Sequence, residues 1–190
     1  MPQPDRQRII DCLWSTDLPG SSRVWAILDG ARDNRIYSAL TSLRPEHYCL
    51  YRGNLPGELR LTAPYLVRLE PQDRLVQHLL DWGWGNSWGI FLRAEEGGEG
   101  LRSHFRRFLI VQDEQGRRLI FRYYDPRVLR IYLPTCLPQE LKTLFGPVRR
   151  YLLEGEDPMT MAQNEFDGSK LITREVALEG AGNPIPVPAA

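Results

Sequence analysis

The chain has 190 residues and a mass of 21.9 kDa, which is enough for one domain with its own buried core. Its formal net charge is zero, so no overall electrostatic field draws it to nucleic acid or to an anionic membrane. No apolar run approaches the roughly 18 residues of a membrane-spanning helix, and the first residues lack the pattern of a signal peptide. We therefore expect a cytoplasmic protein without a membrane partner.

Helices and strands alternate in the first half of the predicted structure. Apolar residues at helical spacing predict helices over residues 5–15, 31–44 and 73–80. Short apolar runs predict strands over residues 23–28, 47–51 and 65–69. The first of these strands stops at Asp29-Gly30, which is a turn signal.

The second half is predicted to contain two strands, a hairpin and short helices. Residues 87–93 have the composition of a buried strand, and a helix begins at Leu101. The segment 110–124 is typical of a β-hairpin with its turn near Asp113 to Gly116. Short helices before Pro134 and over residues 137–147 precede a last strand over residues 148–153.

This order of elements predicts an α/β fold with a mixed β-sheet flanked by helices, a late β-hairpin and short C-terminal helices. Residues 1–153 form the single predicted domain. From Glu154 onward the chain carries seven acids against Lys170 and Arg174, with few apolar residues. We interpret residues 154–190 as an acidic, proline-containing C-terminal tail that is partly disordered.

The segment FRYYDPRVL, residues 121–129, combines a predicted strand with the start of a helix. Strand alternation would place Phe121 and Tyr123 on one face and Arg122 and Tyr124 on the other. A helix N-cap at Asp125 and a first helical residue at Pro126 explain the DP pair structurally. Arg127 then lies unfavourably at the positive end of the helix dipole, so it needs an acidic partner within the chain or on another protein. Asp29 is a candidate partner, because it ends a strand that could reach the same sheet edge.

Few residues are arranged as a catalytic site. His47, His78 and His104 lie in different predicted elements, outside any metal-binding motif. Cys12, Cys49 and Cys136 are widely separated and odd in number, which argues against disulfides and metal spacing. We predict a non-enzyme without cofactor or metal. A hydrolase of unrecognised type, for example one with a Cys-His pair, remains an alternative.

Nucleic-acid binding is a second alternative. Residues 102–130 carry eight arginines against three acids, a local charge of +5. Arginines interleaved with Phe105, Phe108 and Phe121 in the segment 102–127 could contact phosphates and stack on bases. The helical spacing of Leu101, Phe105 and Phe108 instead favours an amphipathic helix whose aromatic residues face the core. Nucleic acid is therefore an unlikely partner.

Several ordered segments resemble the effector adaptor chaperones of the bacterial type VI secretion system, the Tap/Tec-type family catalogued as a domain of unknown function. The resemblance covers roughly residues 23–153. Its segments are VWAILDGA (24–31), WGNSWGIFLR (84–93), LRSHFRRFLIV (101–111), RLIFRYYDPRVLRIYLP (118–134) and LFGPV (144–148). It implies a cytoplasmic, non-catalytic protein that binds a toxin effector and helps load it onto the VgrG spike or a PAAR tip. Longer members continue with a larger C-terminal region.

The resemblance also implies site residues. The candidate contacts with an effector or other protein partner are Asp29, Arg107, Arg122, Tyr124, Asp125 and Arg127. The candidate structural residues of the motif are Trp88, Gly89, Phe105, Phe108 and Pro126. Arginine and tyrosine are among the residue types that dominate binding hot spots in protein interfaces.

Overall fold

The computed structural model describes residues 3–18 and 20–179. The helices are α1 (Arg6–Leu13), α2 (Asn34–Leu43), α3 (Gly57–Leu61), α4 (Arg74–His78), α5 (Gly98–Phe105), α6 (Pro126–Tyr132) and α7 (Pro138–Phe145). The strands are β1 (Arg23–Asp29), β2 (His47–Cys49), β3 (Pro64–Leu69), β4 (Gly89–Ala94), β5 (Ile110–Gln112), β6 (Arg118–Ile120), β7 (Val148–Glu154), β8 (Thr160–Phe166) and β9 (Leu171–Ala177). A π-helical turn, Leu79–Gly83, extends α4, and a 3-10 turn, Leu133–Thr135, extends α6.

Seven strands form one sheet in the order β2-β3-β1-β4-β7-β8-β9. The predicted α/β class, with its sheet flanked by helices, is confirmed. Every strand pair described in this sheet is antiparallel, so the sheet is antiparallel rather than mixed as predicted. The helical connections from β1 to β2 and from β3 to β4 each skip one strand and return the chain in the same direction. β1 lies between β3 and β4 and is buried along its length after Arg23.

Helices cover both faces of the sheet. On one face, Ala26 and Leu28 of β1 pack in a core with residues of α1, α2 and α4. On the other face, Trp25 and Ile27 pack in a second core with residues of α5, α6 and α7. Adjacent strand residues point to opposite faces, so one continuous apolar run supplies both cores. None of the helices in the described part of the chain is long and apolar enough to cross a membrane.

The C-terminal region corrects the domain prediction. The boundary placed after residue 153 falls inside β7, and β8 and β9 continue the main sheet beyond it. Met161 is fully buried, and the carboxylate of Glu165 pairs with the buried Arg150 at 2.6 Å. Glu165 therefore has a structural role, and the polar composition of the region reflects strands near a sheet edge with exposed positions. Residues 180–190, including the NPIPVPAA end of the predicted tail, lie outside the described residues.

The predicted hairpin is confirmed, but it is shorter than expected. β5 and β6 form their own two-stranded sheet, with Ile110 opposite Ile120 and Val111 opposite Leu119. The strand ends at Ile120, and the chain turns through residues 123 and 124. The predicted alternation over residues 121–124 is therefore wrong: Tyr123 and Tyr124 are both buried in the core beneath the hairpin.

His104 connects α5 to α7 inside the second core. Its Nε2 lies 3.0 Å from the carbonyl oxygen of Leu144, and its Nδ1 lies 3.0 Å from Nη2 of Arg107. Arginine can only donate, so Nδ1 accepts and the neutral ring carries its proton on Nε2. Burial lowers the pKa of His104 from 6.5 to about 4.

This lowered pKa predicts a loss of stability in mild acid. Between pH 6.5 and about 4, His104 is protonated in the unfolded chain but stays neutral in the folded chain. The free energy of unfolding therefore falls as the pH drops through this range. His104→Gln should remove this pH dependence, so that its free energy of unfolding falls by up to about 3 kcal/mol less than that of the wild type between pH 6.5 and 4. Urea unfolding at both ends of the window measures it. Ser103→Ala, on the exposed side of α5, should keep the full slope; an equal slope in His104→Gln would contradict the assignment.

Candidate functional site

The candidate site begins at the end of β1 with Asp29, whose side chain is 1% exposed. Its backbone N–H donates to the carbonyl of Trp88 at 2.8 Å, which continues the pairing with β4. One carboxylate oxygen accepts from the backbone N–H of Ala31 at 3.1 Å, and the other accepts from Nη2 of Arg122. A buried carboxylate is stable only when a cation compensates its charge and its oxygens accept hydrogen bonds. Arg122 compensates the charge, and both oxygens accept hydrogen bonds.

Asp125 holds a second arginine in the same way. It is the N-cap of α6, as predicted, and Pro126 is the first helical residue. Oδ1 accepts from the backbone N–H of Arg127 at 3.0 Å and from its Nε at 2.9 Å, while Oδ2 accepts from Nη2 at 2.6 Å. This two-pronged pair places a negative charge at the helix N-terminus, which offsets the unfavourable position of Arg127.

The predicted pairing of Asp29 with Arg127 is therefore wrong. Asp29 pairs with Arg122, and Arg127 pairs with the cap of its own helix. The reason is local: a guanidinium two residues after an N-cap reaches that carboxylate without crossing to another element. The backbone N–H of Asp125 also donates to the carbonyl of Arg122 at 3.0 Å, so one turn carries both arginines. We call Asp29, Arg122, Asp125 and Arg127 the arginine edge.

In the arginine edge the anions are buried and the cations face solvent. The side chains of Arg122 and Arg127 are 43% and 51% exposed, whereas Asp29 and Asp125 are nearly inaccessible. Tyr124 is also buried. Of the six predicted contact residues, only Arg107, Arg122 and Arg127 thus offer an accessible surface, and the two aspartates orient the latter two.

The predicted structural residues lie in or beside the core. Trp88, Phe105 and Pro126 are buried, and Phe108 is half-buried in edge-to-face contact with Tyr123. Gly89 is required because a Cβ there would collide with the carbonyl of Ile27 on the neighbouring strand. These residues hold the fold beneath the site.

A cleft of about 750 Å³ adjoins the arginine edge. Arg127, Arg32 and Arg130 line it, together with the loop 85–87 and the start of the turn after β7. Arg32 donates to the carbonyl of Asn86 at 3.1 Å, and Arg130 donates to the carbonyls of Glu154 and Gly155 at 2.7 and 2.9 Å. These carbonyls orient the two guanidiniums and carry no net charge, while the carboxylates of Glu154 and Glu156 also line the cleft. We call this the arginine cleft.

The loop 85–87 is fixed by one buried acid. The carboxylate of Glu154 accepts from the backbone N–H of Gly85 at 2.7 Å and from the backbone N–H and hydroxyl of Ser87 at 2.9 Å each. Both loop residues have positive φ, 80° for Gly85 and 54° for Ser87, so the carboxylate stabilises a strained turn. Burial raises the pKa of Glu154. The conspicuous sequence GWGNSWG is thus one wall of the cleft.

Sequence reasoning missed Arg32, Arg130 and Glu154. Arg130 had a usable signal, because a residue three positions after Arg127 shares its face of a helix. Arg32 follows the Asp29-Gly30 turn, but its neighbour Asn86 is 54 positions away along the chain. The sequence places Glu154 at the start of the predicted C-terminal tail. The pairing of β7 with its neighbouring strands in the sheet brings it under the loop 85–87.

The cleft offers cationic donors rather than a nucleophile with a base. Within the described residues, no group of three or more His, Cys, Asp and Glu side chains could hold a metal ion. Burial raises the pKa of the thiols of Cys12, Cys49 and Cys136, which keeps them protonated near neutral pH. The arrangement is suited to binding carboxylates or other anions.

Comparison with known proteins places the chain in one family. A family model described as Domain of unknown function (DUF4123) matches residues 24–143, more than half of the chain. The chain belongs to the DUF4123 family. No curated protein and no solved structure gives a significant match. The DUF4123 match contains the whole arginine edge, Arg32 and Arg130, whereas Glu154 and the strands β7, β8 and β9 lie beyond it.

The two ion pairs of this DUF4123 domain predict a specific pattern of coupling. In a double-mutant cycle, Asp29→Ala and Arg122→Ala should show a coupling free energy of about 1 kcal/mol, reduced by the exposure of Arg122. Asp29→Ala and Arg127→Ala should be additive within about 0.5 kcal/mol. Urea unfolding of the single and double variants measures both cycles. Stronger coupling of Asp29 to Arg127 than to Arg122 would contradict the pairing.

Proposed function

We propose that this protein is a non-catalytic adaptor of a type VI secretion system, which binds a toxin effector in the cytoplasm and helps load it onto the VgrG spike or a PAAR tip. The observation that carries the proposal is the arginine edge with its cleft. Exposed guanidiniums are held in fixed positions by buried carboxylates and backbone carbonyls over an open concave surface.

This geometry is favourable for binding a protein. An arginine that is already oriented loses less side-chain entropy when a partner binds, so more of the interaction energy contributes to affinity. Arginine is enriched in binding hot spots, and its planar fork matches a carboxylate. Ile131, which is 76% exposed on the rim of the cleft, adds apolar surface beside the charges. Such a combination fits an acidic and apolar surface of a partner.

Membership of the DUF4123 family is consistent with the proposal but carries no activity of its own. The adaptor role comes from the resemblance of the ordered segments between residues 23 and 153. The nucleic-acid alternative is less well supported, because Phe105 and Tyr123 are buried and Phe108 packs on Tyr123. Those rings are not available to stack on bases. The hydrolase alternative is also less well supported, because the described residues of the site do not include a nucleophile paired with a base.

Affinity purification from the native host tests the proposal. The tagged protein, expressed at its natural level, should recover a type VI effector together with VgrG or a PAAR protein, identified by mass spectrometry. Recovery of neither class, with both present in the lysate, would contradict the proposal.

Charge reversal locates the contact. Arg32→Glu should reduce effector recovery by about 10-fold or more, since Arg32 is exposed and, within the described residues, its side chain bonds only to the carbonyl of Asn86. Arg174→Glu makes the same charge change on the exposed strand β9, outside the cleft, and should have no effect. Equal recovery by wild type and Arg32→Glu would exclude the cleft as the contact.

A further inference from the structure

A second concave surface lies away from the arginine cleft, between the β5–β6 hairpin and the loop that follows β2. It has a volume of about 580 Å³. Four arginines surround it, Arg52, Arg106, Arg107 and Arg118, and Ile110 and Ile120 of the hairpin form an apolar wall. We call this the hairpin groove. It shares none of its lining residues with the arginine cleft.

The hairpin exposes aliphatic side chains on the wall of the groove. Ile110 and Ile120 are directly opposite each other across the two strands and are 49% and 61% exposed. Leu55 and Leu109 continue the apolar surface below them. A clustered aliphatic surface on a protruding ribbon is typical of an interaction site, because water contact with it is unfavourable.

The charge of the groove is uncompensated. No carboxylate lines it, and none of its four arginines forms an ion pair within the part of the chain that the structure describes. This differs from the arginine edge, where each exposed arginine has a buried acid. Four cations with no internal counterion favour an anionic occupant.

Two of the four arginines are held in place. Arg106 donates to the carbonyls of Cys49, Leu50 and Tyr51 at 3.0, 3.1 and 2.6 Å. Arg107 donates to Nδ1 of the buried His104 at 3.0 Å. These contacts fix the position of both guanidiniums while each retains its full charge, so the groove is organised before anything binds.

The spacing of the wall defines the form of the occupant. Arg118 and Ile120 are two positions apart on β6 and therefore point to the same face, about 7 Å from each other. An extended segment with an acidic and an aliphatic side chain two positions apart presents the same spacing. We infer that the hairpin groove binds an extended segment of a partner protein that carries an acidic and an aliphatic residue two positions apart, on the same face of the segment.

This inference rests on the proposed function only in taking the partner to be a protein; the groove itself is separate from the arginine cleft. A nucleic acid would satisfy the arginines but would leave Ile110 and Ile120 without apolar contact. The aliphatic wall therefore favours a polypeptide over a phosphate backbone.

Fluorescence anisotropy with short labelled peptides tests the inference on the full chain. A peptide that repeats Glu-Ser-Leu-Ser (the Glu-Leu peptide) should bind. Its affinity should exceed that of a Glu-Ser-Ser-Ser repeat (the Glu-Ser peptide) and of a Lys-Ser-Leu-Ser repeat by about 10-fold or more. A single-stranded oligonucleotide of similar length should bind more weakly. Equal binding of the Glu-Leu and Glu-Ser peptides, or tighter binding of the oligonucleotide, would overturn the inference.

Matched variants assign the binding to the groove. Arg118→Ala and Ile120→Ser change exposed residues, and each should lower the affinity for the Glu-Leu peptide by about 5-fold or more. Leu119→Ser, on the opposite face of the same strand, should leave binding unchanged. Arg32→Glu in the arginine cleft should also bind normally. If Arg32→Glu lost peptide binding while Arg118→Ala and Ile120→Ser kept it, the assignment of peptide binding to the hairpin groove would be wrong. The proposed function would be unaffected by that result.

Discussion

The carboxylate of Asp29 can be buried at the end of β1 only because Arg122 and the amide of Ala31 satisfy its oxygens. β1 fixes its position, since that strand pairs on both sides and supplies apolar residues to both cores. Removing the arginine would leave a buried carboxylate without its charged partner, a loss that the exposure of Arg122 reduces to about 1 kcal/mol. The fold and the arginine edge therefore depend on each other: the sheet positions the acid, and the acid positions the cation that faces solvent.

The molecule presents two cationic surfaces that differ in how their charge is balanced. In the arginine edge, local acids neutralise the exposed guanidiniums, so a partner exchanges one set of contacts for another and gains mainly in geometry and specificity. Among the described residues no acid lines the hairpin groove, so the proposed partner would supply the missing charge and also cover aliphatic surface. A domain with both surfaces could contact two parts of one partner or two different proteins.

The central part of the fold could be predicted from sequence because its signals are local. The apolar run of β1, the Asp125-Pro126 cap and the turn at Gly116 each depend on neighbouring residues. β8 and β9 could not, because their polar residues become strand residues only through the pairing of β8 with β7 and of β9 with β8. The same limit applies to the site. One motif identifies Arg122 and Arg127, but Asp29 pairs with Arg122 and not with Arg127 as predicted. Arg32 joins the cleft through a contact with distant Asn86.

Site-specific photo-crosslinking in the native host tests whether the arginine cleft is a protein-binding surface. A photoreactive phenylalanine analogue would replace Ile131, which is exposed on the rim of the cleft. Binding at the cleft predicts a covalent adduct with a type VI effector or a spike component, and no such adduct from the same analogue at Arg174 on β9. Adducts equally abundant at both positions, or none at Ile131 while those proteins are present, would contradict it.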